Sequence, residues 1–197
     1  METTDQVKKR MLLIVDPQID FITGSLPVPG AEEAMNKLAQ YVKEHGDEYG
    51  HLFVTCDNHN LRHVSFKEFG GKWPPHCIQS TVGAAIWPPL FDSLYPYSFH
   101  VLILYKGDDL FQDEYSIFRN KDGRQSMDIF LRDDQIKEVD ICGLAGDVCV
   151  AKTLEDSLYL YPNIRYRILK DFTASLDGGK YVNSMSSALD IRNTKLS

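Results

Sequence analysis

Short apolar runs alternate along the chain with longer segments whose apolar residues recur at helical spacing. The runs are rich in aliphatic and aromatic residues and predict buried strands at residues 11–15, 52–56, 101–105, 139–142 and 166–169. The amphipathic segments predict helices at residues 31–45, 126–133, 148–159 and 180–191. This alternation predicts an α/β protein, which we take as a single three-layer α/β/α domain over residues 1–197 with a mainly parallel sheet.

The predicted strands end at residues with chemical function. Asp16 follows the first run, Asp57 the second and Lys106 the third, while residues 143–149 follow the fourth. In open α/β sheets, ligands bind outside the carboxyl ends of the strands. Residues 58–89 break the regular alternation with glycines, prolines, tryptophans and histidines, and a long irregular insertion of this kind is usually functional. We therefore expect a site at this edge of the sheet.

Cys149 is the candidate nucleophile. The apolar run at 139–142 breaks at glycines and restarts, a pattern that predicts a strand, a sharp turn and the first turn of a helix. A thiol there meets the positive end of the helix dipole, which is expected to lower its pKa, and free backbone N–H groups beside it suit an oxyanion. Asp16 is the candidate base and Lys106 a supporting cation. The alternative is that Cys149 packs in the core, Asp16 caps a turn and Lys106 is solvated.

A second group of residues suits a divalent metal ion. Asp57 and His59 lie two residues apart at a strand end, and His76 would return from the insertion. Two imidazoles and a carboxylate suit Zn²⁺, Fe²⁺ or Mn²⁺, and His63 is either a fourth ligand or a neighbour of the ligands. The alternative is loop histidines bonded to backbone or water. Three aromatic residues are candidates to line a pocket for a flat ring, although each also suits plain core packing: Phe21, Trp73 and Tyr115.

Composition excludes several classes of function. The chain has 197 residues, a formal net charge of −7 and no basic run long enough to follow a phosphate backbone, so we expect no nucleic-acid partner. No apolar stretch has the length of a membrane span. The four cysteines lack disulfide-framework or zinc-finger spacing, which favours a cytoplasmic protein with reduced thiols. Apolar positions on the outer helices are compatible with a homo-oligomer.

Taken in order, the motifs resemble a known family, the nicotinamidase/pyrazinamidase group of the isochorismatase-like cysteine hydrolases. The matching segments are VDPQIDF (15–21), GSLPVPG (24–30), TCDNH (55–59), RHVSF (62–66), WPPHC (73–77), KG (106–107), YSIF (115–118) and GLAGDVCV (143–150). Their order and spacing hold over roughly residues 10 to 190. Asn58 departs from the family pattern, which often has an aromatic residue there, and the few residues after 193 leave little room for a last edge strand.

The resemblance implies both the fold and the activity. It implies a parallel sheet of about six strands and the hydrolysis of nicotinamide to nicotinate and ammonia in NAD salvage, with pyrazinamide as a further candidate substrate. It implies a triad of Cys149, Asp16 and Lys106, an oxyanion hole from the N–H groups of Ala145 and Cys149, and a cis peptide at Leu144–Ala145. The implied substrate contacts are Phe21, Trp73, Leu144 and Tyr115. The implied metal ligands are Asp57, His59, His76 and, in some members, the residue matching His63, with zinc expected and iron or manganese as alternatives.

Three other functions are compatible with parts of this pattern. One is a related amidohydrolase acting on a ureido or carbamoyl compound, which the metal motif disfavours because such relatives generally lack it. Another is a non-catalytic protein that binds a pyridine metabolite, which the intact triad disfavours. The third is a structural metal-binding module in which Cys149 and Asp16 are incidental. Release of ammonia from nicotinamide would distinguish a nicotinamide hydrolase from these three alternatives.

Overall fold

The computed structural model describes residues 9–132 and 136–196. Within them, five strands form one parallel sheet in the order β3-β2-β1-β4-β5. The strands are β1 (Arg10–Val15), β2 (His51–Asp57), β3 (Val101–Lys106), β4 (Glu138–Gly143) and β5 (Arg165–Thr173). All five predicted strands are confirmed. The described residues contain five strands where the resemblance implied about six.

Six α-helices within the described residues connect and cover the strands. They are α1 (Ile19–Ile22), α2 (Ala31–His45), α3 (Pro88–Leu94), α4 (Lys121–Leu131), α5 (Cys149–Leu160) and α6 (Lys180–Asn193). The four predicted helices are confirmed, although residue 133 of the predicted 126–133 segment lies outside the described residues. Helix α4 begins earlier than predicted because the side chain of Asn120 caps it and accepts a hydrogen bond from the N–H of Gly123 at 2.9 Å. The short helices α1 and α3 carry too few turns for periodicity to reveal them.

The sheet is buried on both faces, which explains why its strands have continuous apolar sequences. Along β1, Leu12 and Ile14 face a core shared with α2 and α3, whereas Leu13 and Val15 face a core shared with α4 and α5. Alternate strand residues point to opposite faces, so both faces must be apolar. The three-layer α/β/α architecture is therefore confirmed. No helix within 9–132 or 136–196 has the length and apolar character needed to cross a bilayer.

The strand order brings the functional strand ends together. β1 lies in the centre of the sheet, between β2 and β4. The chain after β1 forms β2 and β3 on one side of it and then returns to form β4 and β5 on the other side. The register pairs Asp57 with Lys106, and Val15 lies beside both Thr55 and Gly143. A crevice forms at the carboxyl ends where the direction reverses. Asp16, Asp57, Lys106 and Cys149 all lie at this crevice, as the sequence predicted.

Candidate active site

Lys106 is the electrostatic centre of the site. Its ammonium is fully buried and lies 2.8 Å from Asp16 Oδ2, 2.5 Å from Asp57 Oδ1 and 3.7 Å from Cys149 Sγ. Burial lowers the pKa of a lysine, but the two carboxylates raise the pKa of Lys106 well above its ordinary value. The residue therefore stays cationic and bridges the two carboxylates. The alternative of a solvated lysine does not fit this burial.

The two carboxylate oxygens of Asp16 differ in their contacts. The chain turns sharply after β1, with Asp16 at φ 47°, and its Oδ1 accepts a hydrogen bond from the Thr55 hydroxyl at 2.7 Å. Its Oδ2 lies near the Lys106 ammonium, but no well-aligned hydrogen bond uses this atom among the described residues. Burial raises the pKa of Asp16, and Lys106 opposes that shift. A buried acceptor without an aligned donor beside a thiol suits a proton acceptor.

Cys149 is the first residue of α5 and is 5% exposed. Burial raises the pKa of its thiol well above the ordinary value, Lys106 opposes the shift, and the carboxylates of Asp16 and Asp57 add to it. The sequence predicted that the helix start would lower this pKa, but removal from water and two nearby negative charges outweigh the Lys106 cation, so the net shift of the thiol pKa is upward. A neutral thiol needs a base before it can attack a carbonyl carbon.

The turn between β4 and α5 supplies free backbone donors. Gly143 has φ 117°, and a Cβ there would lie 2.0 Å from the Val15 carbonyl oxygen, so only glycine fits. The Leu144–Ala145 peptide is cis, as the resemblance implied. No hydrogen bond within the described residues uses the N–H of Ala145 or that of Cys149 as a donor. Both groups are free to bind an oxyanion next to the thiol.

Asp57, His59 and His76 form a three-residue group whose potential ligand atoms all lie within 4.8 Å of one another. The Nδ1 atoms of His59 and His76 lie 2.7 Å from the Gly107 carbonyl and 2.8 Å from the Pro74 carbonyl. A carbonyl only accepts, so each Nδ1 carries the proton and each Nε2 keeps its lone pair. Although burial opposes ionisation, the Lys106 ammonium holds the pKa of Asp57 well below its usual range. This donor set fits a divalent metal ion.

His63 is engaged elsewhere. Its Nδ1 accepts a hydrogen bond from the N–H of Ser65 at 3.2 Å, so the proton lies on Nε2, which donates to the Gln112 carbonyl at 3.1 Å. Neither nitrogen keeps a free lone pair for a metal ion. The ring stacks on that of His59 with centroids 4.1 Å apart. Of the two roles that the sequence left open, the structure gives His63 the contacts of a neighbour of the ligands.

One cavity connects the thiol with the candidate metal ligands. It is narrow, with about 30 Å³ open to a water-sized sphere, and Phe21, Trp73 and Tyr115 lie on its wall. The Trp73 Nε1–H donates to the Tyr115 hydroxyl at 3.0 Å, which joins the two rings across the cavity. Leu144 differs from the expectation, because its side chain is fully buried in the core and is not on the wall. The wall also includes residues that sequence reasoning did not identify: Leu26, Val28, Asp113, Val148 and Leu176.

Comparison with known proteins places the chain in context. The isochorismatase domain family matches residues 10–190. The nicotinamidase/pyrazinamidase of Mycobacterium tuberculosis is 33% identical over 181 residues, which cover 89% of this chain and 92% of the relative. The crystal structure of Pyrococcus horikoshii pyrazinamidase in complex with zinc superposes with a TM-score of 0.76 at 28% identity, covering 93% of this chain and 96% of that one. The crystal structure of the yeast nicotinamidase bound to the inhibitor nicotinaldehyde superposes with a TM-score of 0.78 at 26% identity, covering 93% of this chain and 97% of that one.

Proposed function

As this chain belongs to the isochorismatase domain family, we propose that it is a nicotinamidase, which hydrolyses nicotinamide to nicotinate and ammonia. The observation that carries the proposal is the position of Lys106, whose ammonium contacts both Asp16 beside the thiol and Asp57 in the metal-binding group. A nucleophile and a seat for a ring nitrogen thus face one small cavity with aromatic walls. A pyridine carboxamide presents the matching pair of groups, a ring nitrogen and an electrophilic carbon.

Each residue of the site has a separate role in the proposed reaction. Asp16 Oδ2 takes the proton of the Cys149 thiol, and Sγ then forms a bond to the carboxamide carbon. The N–H groups of Ala145 and Cys149 hold the negative oxygen of the tetrahedral intermediate. When that intermediate collapses, the C–N bond breaks and Asp16 returns the proton to the leaving ammonia. Asp16 then takes one proton from water, whose oxygen attacks the thioester carbon. The C–S bond breaks, Asp16 returns that proton to the Cys149 sulfur, and the product leaves as nicotinate after losing its remaining proton to solvent.

Asp57, His59 and His76 would hold the metal ion, which we propose is zinc. When bound, the ion supplies a Lewis acid that fixes the ring nitrogen of the substrate. Phe21 and Trp73 enclose the ring, and Lys106 keeps Asp57 ionised for the metal while stabilising charge near the thiol. A ureido or carbamoyl substrate has no ring nitrogen for this group, so the three donors favour a pyridine compound.

The test is ammonia release by the purified protein, combined with metal analysis of the same preparation. Nicotinamide and pyrazinamide should both release ammonia, and benzamide, which has the same shape but no ring nitrogen, should be a poor substrate. A chelator should remove the metal and reduce turnover, and added zinc should restore it. Hydrolysis of benzamide as fast as nicotinamide would exclude the ring-nitrogen role. Metal binding without any ammonia release would instead support a non-catalytic binding protein.

A further inference from the structure

We propose that Gln18 and Asp20 are positioning residues that hold two metal ligands in place from the segment that also carries the candidate base. Gln18 fixes the peptide of Asp57, and Asp20 fixes the peptide that follows His76. This inference rests on the proposed metal-containing amidohydrolase and extends it to residues that touch neither substrate nor metal. Asp16, Gln18 and Asp20 lie at alternate positions directly after β1.

Gln18 pairs with the backbone of Asp57 at both ends of its amide. Its Oε1 accepts the N–H of Asp57 at 2.7 Å, and its Nε2 donates to the carbonyl of Asp57 at 2.7 Å and to that of Ala84 at 2.8 Å. The side chain is fully buried, and these three bonds use its acceptor and both donors. Asp57 is the last residue of β2, where the sheet no longer supplies partners on this side. Gln18 thus takes over the role of a neighbouring strand at a metal ligand.

Asp20 does the corresponding work for His76. Its Oδ2 accepts the N–H of Cys77 at 2.7 Å, and its Oδ1 accepts the N–H of Ser25 at 3.0 Å. Cys77 has φ 45°, a conformation that non-glycine residues adopt only when their surroundings impose it. The Cys77 carbonyl accepts the N–H of His59 at 2.9 Å. Cys77, the residue next to one candidate ligand, is therefore held at its N–H by Asp20 and at its carbonyl by the N–H of a second candidate ligand.

Two glycines close around the Asp20 carboxylate. A Cβ on Gly24 would lie 2.3 Å from Asp20 Oδ1, and a Cβ on Gly83 would lie 2.2 Å from Oδ2. The N–H of Asp20 donates to the Gly83 carbonyl at 2.9 Å, and the N–H of Ile19 donates to the Ala85 carbonyl at 3.0 Å. The end of the insertion is thus bound along the start of α1. This explains how His76 returns to the strand ends despite the irregular chain before it.

These contacts fix the distance between the base beside the Cys149 thiol and the proposed metal ligands. The base that activates Cys149 and the residues that hold Asp57 and His76 belong to one short rigid segment. A shift of about 1 Å between nucleophile and reacting carbon is enough to reduce turnover about 100-fold. Because one segment positions both the base and the metal ligands, the binding site for the substrate ring keeps a constant position relative to the thiol.

The experiment measures zinc affinity in the full-length protein by competition with a chromophoric chelator. Gln18→Met keeps the approximate shape but removes all three hydrogen bonds, and Asp20→Ala removes both acceptors. Each should weaken zinc binding about 10- to 100-fold, the usual effect of losing an outer partner of a ligand. Asp20→Asn keeps one acceptor oxygen and should restore part of the affinity. Gly83→Ala leaves Asp20 intact but displaces its carboxylate, and it should also weaken binding.

Asp177→Ala is the matched control. Asp177 is also a carboxylate that accepts backbone N–H groups, those of Gly179, Lys180 and Tyr181 at the start of α6, none of which is a candidate metal ligand. It should lower thermal stability without changing zinc affinity. The proposal is overturned if zinc binds the Gln18 and Asp20 variants within about threefold of wild type, or if the control loses as much affinity. If Asp20→Ala does not fold, Asp20→Asn and Gly83→Ala decide the matter in the same way. Failure of the wild-type protein to bind zinc would instead refute the metal centre, and this proposal with it.

Discussion

Gly107→Ala tests the metal centre from the β3 side. Gly107 follows Lys106 at φ 70°, its carbonyl accepts the His59 Nδ1–H, and its N–H donates to Glu114 at 2.8 Å. A Cβ there would lie 2.5 Å from His59 Cε1. Ordinary carbon–carbon contacts are about 3.5 Å, so the ring or the loop must move by about 1 Å. Metal–ligand distances tolerate only about 0.2 Å.

The substitution therefore has two separable costs. The left-handed backbone conformation costs an alanine about 1–2 kcal/mol of stability, which corresponds to a fall in Tm of about 2–8 °C for a chain of this length. Displacement of His59 should in addition weaken zinc binding about 10- to 100-fold, or about 1.4–2.8 kcal/mol.

Gly178→Ala separates these costs. Gly178 has φ 71°, and a Cβ there meets nothing within 4 Å, so the variant has the backbone cost without a clash. Differential scanning fluorimetry should show a similar fall in Tm for both variants, and chelator competition should show weaker zinc binding only for Gly107→Ala. Equal zinc affinities in the two variants would refute the reasoning that Gly107 sets the position of His59.

Three further outcomes are expected. Cys149→Ala should abolish ammonia release while metal content stays that of wild type, and residual turnover near wild type would exclude the thiol as nucleophile. Asp16→Asn should reduce kcat at least about 100-fold, because the buried thiol loses its base, and a loss below about tenfold in stopped ammonia assays would contradict that role. Asp140, which does not line the cavity, should stabilise the fold above about pH 4. Burial opposes ionisation of its carboxyl group, but hydrogen bonds from Arg167 and Tyr49 lower its pKa below the ordinary value. The stabilisation is therefore lost as the pH falls through that lowered pKa. Asp140→Asn should lower stability by about 1–3 kcal/mol at pH 7, and urea titrations should show the difference from wild type vanishing in acid; a difference independent of pH would contradict it.

The positions of the strands along the chain were predictable because they depend on local periodicity, whereas β5 extends from residue 165 to 173, beyond the predicted 166–169. A strand buried on both faces must be apolar throughout, so the residues that end the apolar runs are visible in the sequence. Asp16, Asp57 and Lys106 were identified in this way. Helix α1 was not, because four residues make too short a pattern, and its neighbour Gln18 has its partners 39 and 66 positions away.

The tertiary structure decided which atoms are available for chemistry. The sequence placed His59, His63 and His76 together, but only the carbonyls of Gly107 and Pro74 and the N–H of Ser65 show which ring nitrogens keep a lone pair. The sequence likewise placed Cys149 at a helix start, where the dipole alone favours a thiolate. Burial and two carboxylates reverse that shift. Residue type and strand position are therefore set by the chain itself, whereas protonation and ligand availability follow from burial and from partners that only folding brings close.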